Sequence, residues 1–202
     1  GLKIKQYWQL PFGKKIYQER SVEDWREELN QLLLDATRIR LRADVPVGAY
    51  LSGGIDSTYT SALVKNNFNN KLCTFSVGFS DKQFDESYFQ KKAVDYLGTD
   101  HKTISCSYND IGKIFPKVIW HTETPIIRTA PAPLMMLSQL VRENNFKVVL
   151  TGEGADEVFA GYNIFKEDKV RRFWAKNPDS RIRPRLLEKL YPYIFSQNNS
   201  KA

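Results

Sequence analysis

From Val45 to Thr151 short β-rich runs alternate with longer amphipathic stretches, and this order admits few architectures. The runs are "VPVGAYL" (45–51), "KLCTFSVGF" (71–79), "HKTISCS" (101–107) and "KVVLT" (147–151). Between them the spacing predicts helices over about 56–66, 109–121 and 132–145. "DESYFQKKAVDYLG" (85–98) is a further helix, stopped by Gly98. Strand–helix alternation predicts an α/β chain, a doubly wound parallel sheet with right-handed crossovers and helices on both faces. Pro46 stands near the start of the first run, where a strand tolerates it.

Upstream, Ser21 opens a helix with Asp24 as the capping-box acid, and Trp25, Leu29, Leu32, Leu33, Ala36 and Ile39 keep helical spacing to about Arg42. Residues 1–20 read as an irregular linker with "LPFGKK" as a turn. They carry neither an initiator Met nor the apolar core of a signal peptide, so the chain reads as the inside of a longer protein. The expected organisation is a linker over 1–20, one domain over 21–176 and an incomplete extension over 177–202.

With 202 residues, 42% of them hydrophobic, one domain with a sizeable core is expected. No apolar run approaches the ~18–20 residues that span a bilayer. Cys73 and Cys106 lie in apolar stretches and read as buried reduced thiols, which fits the cytoplasm. His101 and His121 are the only histidines, and no Cys/His metal spacing exists. The net charge of +7 is concentrated late: residues 166–202 hold 10 basic and 4 acidic side chains. That excess reads as a solvated helix face or a surface for another domain, ahead of a nucleic-acid patch.

Two Gly-rich segments follow strands: "SGGIDS" (52–57) and "TGEGADE" (151–157). In open parallel sheets ligands bind beyond the carboxyl ends of the strands, where strand order reverses. If the two strands are neighbours, the two loops face each other across one crevice. "SGGIDS" has two readings. It is a tight strand-to-helix turn capped by Asp56 or Ser57. Or it is a phosphate cradle made of the Gly53 and Gly54 N–H groups, the Ser52 and Ser57 hydroxyls and a helix N-terminus. The lysine-bearing nucleotide loop G-x-x-x-x-G-K-[ST] occurs nowhere in the chain. Asp56 would repel a polyphosphate unless a cation stood between them, and Glu153, Asp156 and Glu157 repeat the oddity in the second loop. Acids favour a helix N-terminus by ~0.3–1 kcal/mol, which accounts for Asp156 or Glu157 but poorly for Glu153, flanked by glycines. Mg²⁺ resolves both difficulties, since it takes one or two carboxylates plus phosphate oxygens; Asp56 and Asp156 would hold it.

The first loop resembles that of the ATP-pyrophosphatase group, S-G-G-x-D-S. The likeness then widens. "VPVGAYLSGGIDST", "FSVGF", "DESYFQKKAVDYLGTDH", "ETPIIRTAPAPLMMLS" and "VVLTGEGADEVFAGY" resemble, in order and spacing, the synthetase domain of glutamine-dependent asparagine synthetases, over about residues 20–175. β-Lactam-forming and peptide-cyclising relatives share much of this pattern. The resemblance implies an adenine nucleotide alpha-hydrolase-like fold that binds ATP and Mg²⁺. It implies attack of the aspartate side-chain carboxylate on the α-phosphate, then of ammonia on the aspartyl-adenylate, giving asparagine, AMP and pyrophosphate.

The nucleotide-binding positions it implies are Leu51, Ser52, Gly53, Gly54, Asp56 and Ser57 in the first segment, Val77 and Gly78 in the second, and Thr151 and Gly152 in the third, Thr151 standing where many members have Ser. Asp56 and Asp156 match the metal ligands, and Glu153 the acid of adenylate and amide chemistry. Arg128, in "IIRTAP", is suited to the aspartate α-carboxylate, or is a surface or capping Arg. Asp85 and Glu86 read as capping residues rather than catalytic ones. The resemblance also implies an N-terminal glutaminase domain in the parent chain, because such enzymes begin with a catalytic Cys and residue 1 here is Gly. It implies a lysine-bearing segment beyond Ala202, and leaves a homodimeric parent open. Two other readings stand beside this one, a tRNA-modifying ATP-pyrophosphatase and a non-catalytic nucleotide-binding module.

Overall fold

The four apolar runs form parallel strands: β1 (Val47–Tyr50), β2 (Cys73–Phe79), β3 (Asp100–Cys106) and β4 (Val148–Leu150). The computed structural model describes residues 1–9, 19–68 and 71–192. Its strands stand in the order β3-β2-β1-β4, and every neighbouring pair is parallel. The chain therefore steps outwards from β1 through β2 to β3, then returns to lay β4 on the other side of β1. Strand order reverses between β1 and β4, where Ala49 is in register with Leu150. Both Gly-rich loops thus leave adjacent strands at the same end of the sheet, as required for a shared crevice.

Eight helices complete the described residues: α1 (Val22–Arg40), α2 (Ile55–Asn67), α3 (Ser87–Leu97), α4 (Tyr108–Thr122), α5 (Pro131–Glu143), α6 (Ala155–Phe159), α7 (Asn163–Ala175) and α8 (Arg185–Leu190). They cover both faces. On one face Ala49 and Leu150 pack with Val64 of α2 and with Leu72. On the other, Cys73 and Phe75 pack against Leu137 and Val141 of α5. Covered on both faces, β2 is buried almost throughout, its polar Thr74 and Ser76 included. Cys73 and Cys106 are buried free thiols, as expected.

The capping box of α1 forms: Ser21 Oγ accepts from Asp24 N–H, and the Asp24 carboxylate accepts from Ser21 N–H, each at 3.1 Å. Ser107 and Asp110 make a second such box on α4 that the sequence reading passed over. The apolar stripe of α1 is only partly covered, since Leu32 remains 61% exposed. α1 rests on α2 in part through Tyr59, whose hydroxyl donates to Asn30 Oδ1 at 2.8 Å. α3 starts at Ser87, later than the pattern suggested, because Asp85 is bound into the preceding loop: its carboxylate accepts from Phe79 N–H at 3.1 Å and Ser87 Oγ at 2.5 Å. "GEGADEVFAGY" (152–162) runs from the second loop to the start of α7. It contains α6, then a left-handed Ala160 (φ 59°) that turns the chain into α7. The "LPFGKK" turn and the last ten residues of the chain lie outside the described residues. Among the described residues no helix is long and apolar enough to cross a membrane.

Gly53 shows how tightly the first loop is set. Its φ is +85°, and a Cβ there would lie 2.7 Å from Gln90 N and 2.8 Å from Phe89 C, both backbone atoms of α3. Gly98 has φ +60° but open space around it. Gly53→Ala should therefore cost about 1–3 kcal/mol more than Gly98→Ala, the overpacking added to a shared left-handed strain. Denaturant titration should read this as a lower midpoint at unchanged slope.

Candidate active site

A cleft of about 340 Å³ opens where β1 and β4 part. From the first loop it is lined by Leu51, Ser52, Gly54, Asp56 and Ser57, from β2 by Val77, and from the second loop by Thr151, Gly152, Glu153 and Asp156. The two loops touch. A Cβ on Gly152 would lie 2.8 Å from Ser57 N and 2.9 Å from Asp56 Cβ. The second loop is thus seated on the first turn of α2, at a distance that glycine alone permits. Three predicted residues stand apart. Gly53 packs on α3, and Gly78 is buried with Ser87 Oγ 2.8 Å from where its Cβ would be. Arg128 is exposed and lines a neighbouring cavity of about 640 Å³. That cavity shares Val77, Phe79, Phe84, Glu86 and Leu134 with the cleft, so the two spaces adjoin along these residues.

Hydrogen bonds fix the first loop before any ligand arrives. Ser52 N–H donates to Ser57 Oγ at 3.1 Å, Ser57 Oγ donates to Gly54 O at 3.2 Å, and Gly54 N–H donates to Ser52 Oγ at 3.2 Å. The hydroxyls of Ser52 and Ser57, 2.9 Å apart, therefore brace the turn itself. Leu51 is tied to β2 through its N–H, which donates to Phe75 O at 2.9 Å, and through its carbonyl, which accepts from Ser76 Oγ. The N-cap of α2 is Gly54, and no side chain caps the helix. Its first-turn N–H groups are left to an anion or to solvent. Of the two readings of "SGGIDS", the turn is present and its geometry also suits an anion.

Opposite stand the acids. Gly154, at φ +91°, turns the chain into α6 directly after Glu153. Glu153 N–H donates to Thr151 Oγ1 at 3.4 Å, and among the described residues its carboxylate has no hydrogen-bond or ion-pair partner. Gly161 lies so close to Asp156 that a Cβ on it would overlap Asp156 Oδ1. The next residue, Tyr162, also lines the cleft and donates its phenol to Glu157 Oε1 at 3.0 Å. That bond holds the phenol proton above the ordinary tyrosine range, and the charges of Glu157, Asp156 and Glu153 add to the effect. Sequence reasoning gave Tyr162 no role, although it ends the "GEGADEVFAGY" stretch. It also missed Gln90, a buried polar side chain of α3 whose Nε2 donates to Val77 O at 3.0 Å. A polar residue three before Ala93 and seven before Leu97, on the buried stripe of α3, was the signal.

Among the described residues no three His, Cys, Asp or Glu side chains gather as a metal cage. Asp56 and Asp156 bring two carboxylates to one cleft beside an anion-suited helix end. Such a set fits Mg²⁺, which takes the rest of its shell from phosphate and water, and does not fit a cation needing an all-protein cage.

A doubly wound parallel sheet with a Gly-rich loop at its switch point defines an α/β domain of the adenine nucleotide alpha-hydrolase-like class. The solved structure of a glutamine-dependent NAD+ synthetase from Acinetobacter baumannii, in complex with ADP, has this fold; it superposes with a TM-score of 0.51 at 21% identity, over 73% of this chain and 29% of that one. Within the class, the chain belongs to the asparagine synthase family, whose model matches residues 28–201. It is 38% identical over 171 residues to a putative glutamine-hydrolysing asparagine synthetase of Methanocaldococcus jannaschii, covering 82% of this chain and 32% of that protein. It is also 34% identical over 179 residues to the amidase chyE of Penicillium rubens, covering 81% of this chain and 27% of that protein. The chain thus spans about a third or less of these relatives' lengths.

Proposed function

We propose that this chain is the synthetase unit of an ATP-dependent amide ligase that adenylates the side-chain carboxylate of aspartate and passes the acyl group to ammonia. The products are asparagine, AMP and pyrophosphate. The observation that carries this reading is the seating of Gly152 on the start of α2, which brings Asp56, Glu153 and Asp156 to one cleft beside an uncapped helix end. Membership of the asparagine synthase family supports it.

The chemistry follows from the charges. A carboxylate oxygen of the acceptor attacks the α-phosphorus, and pyrophosphate leaves. Backbone N–H groups at the start of α2 suit the anion that departs, and no lysine is needed to hold a γ-phosphoryl group in transit. Asp56 and Asp156 would hold Mg²⁺, which when bound would neutralise charge on the pyrophosphate. Ammonia then attacks the acyl carbon, Glu153 takes a proton from the nitrogen as the C–N bond forms, and AMP carries away the acceptor's oxygen. Arg128 would fork onto the aspartate α-carboxylate from the adjoining cavity. In the parent chain a glutaminase domain would supply the ammonia.

A second reading changes only the acceptor. The likeness to a fungal amidase favours a different carboxylic acid, and a panel of acids tested for pyrophosphate release by the full-length protein separates the two. The metal role has its own test. Removing an outer-shell partner of a metal costs ~10–100-fold in metal affinity, so loss of a direct ligand should cost at least as much. Asp56→Asn and Asp156→Asn should each weaken Mg-ATP binding by ~10-fold or more while adenosine binding stays within about twofold. Equal Mg-ATP affinity in wild type and both variants would remove these residues from the role.

A further inference from the structure

We propose that Glu86 is the counter-ion for the α-ammonium group of the acceptor, so that the site selects a zwitterionic α-amino acid over a plain carboxylic acid. The proposal rests on the adenylation reading and adds a specificity-determining residue to it. It starts from the cavity of about 640 Å³ that adjoins the cleft. Most of its wall is apolar, with Phe79, Phe84, Ile111 and Pro133 among the lining side chains. Three charged side chains line it: Asp81, Glu86 and Arg128.

Asp81 is already engaged. Its carboxylate accepts from the Tyr108 hydroxyl at 2.6 Å and from Gln83 N–H at 2.9 Å. Asp85, its neighbour in the same loop, is likewise bound to Phe79 N–H and Ser87. Glu86 differs. Its side chain makes no cap bond, and among the described residues neither its carboxylate nor the Arg128 guanidinium has a hydrogen-bond or ion-pair partner. Nor are the two within 4.0 Å of each other as an ion pair. A largely apolar cavity with one free carboxylate and one free guanidinium complements a ligand that carries both charges.

Position supports the assignment. Glu86 lines both spaces, at the seam between them. Its backbone is anchored, because Glu86 O accepts from Phe89 N–H at 2.9 Å and from Gln90 N–H at 3.0 Å. Gln90 in turn ties α3 to β2 through Val77 O. An amino acid with its α-ammonium on Glu86 and its α-carboxylate on Arg128 would direct its side-chain carboxylate past Glu86 toward the cleft. A plain dicarboxylic acid would leave Glu86 without a partner and its own carboxylate charge beside Glu86 uncompensated.

The test compares aspartate with succinate, which lacks only the ammonium group. In the full-length protein, at saturating Mg-ATP and ammonium, the KM for aspartate and the competitive Ki for succinate are measured. Wild type should bind aspartate ~10–100-fold better than succinate, the span of one charge-assisted hydrogen bond. Glu86→Gln should raise the aspartate KM by a similar factor, draw the two constants together, and leave kcat and the ATP KM within about threefold. Glu86→Asp, which keeps the charge on a shorter arm, should fall between. An unchanged aspartate-to-succinate ratio in Glu86→Gln would overturn the proposal. So would an equal loss for both ligands with a lowered thermal midpoint, which is what a residue serving only the α3 terminus would give. Should either variant fail to fold, the other carries the same ratio test. Pyrophosphate release by wild type that depends on no carboxylic acid would instead sink the adenylation reading, and this proposal with it.

Discussion

Glu153→Gln in the full-length protein should lower ammonia-dependent amide formation by ~10²–10³ and leave Mg-ATP affinity within about twofold, the loss expected of a positioned general base. Gln is nearly isosteric but cannot accept the proton that ammonia must lose. The placement of Glu153 makes the separation of effects sharp. It stands between two glycines, with its backbone N–H on Thr151 and its carboxylate unbonded among the described residues. Removing its charge therefore disturbs no internal bond seen here. Calorimetry on Mg-ATP and steady-state rates with ammonium check the two halves independently. Near-normal turnover in the variant would make Glu153 a structural acid.

Gly152→Ala should be nearly as damaging, through geometry alone. Its Cβ would sit under 3 Å from Ser57 N and Asp56 Cβ, which are fixed by the first turn of α2. The loops must then part, and a misplacement of about 1 Å at reacting groups can cost ~10²-fold in rate. We expect kcat/KM for ATP to fall by that order. The control is Gly112→Ala, with nothing within 4 Å inside α4, which should be neutral or stabilising by about 0.5–1 kcal/mol. If both variants kept full activity, the contact between the loops would not shape the site.

Much of this arrangement was legible in the sequence because it rests on local signals. Short β-rich runs marked all four strands, and the two Gly-rich loops marked the carboxyl ends of β1 and β4. The adjacency of β1 and β4 could only be stated as a condition, because strand order depends on which faces the crossovers cover. The pairing of Ala49 with Leu150 meets that condition. Other features were hidden by their dependence on tertiary context. Gln90 looked like one more polar helix residue until α3 was laid on β2. Tyr162 acquires a place in the cleft only because Ala160 adopts a left-handed φ, which its sequence does not advertise. Arg128 was weighed as a ligand of the aspartate α-carboxylate or as a surface or capping Arg, and its place in an adjoining cavity, outside the cleft itself, could not be read from spacing. Ser52 and Ser57 were weighed as phosphate ligands, and here they first serve to hold the turn.

The proposed adenylation step would leave an isotopic trace that a route through an acyl phosphate does not. Aspartate labelled with ¹⁸O in its side-chain carboxylate is supplied to the full-length protein with Mg-ATP and ammonium, and the products are read by mass spectrometry. Attack of that carboxylate on the α-phosphorus, followed by displacement of AMP by ammonia, must carry one labelled oxygen into AMP and none into pyrophosphate. Labelled AMP formed in step with asparagine is the predicted result. Formation of ADP with label in inorganic phosphate, or of unlabelled AMP alongside the amide, would contradict it.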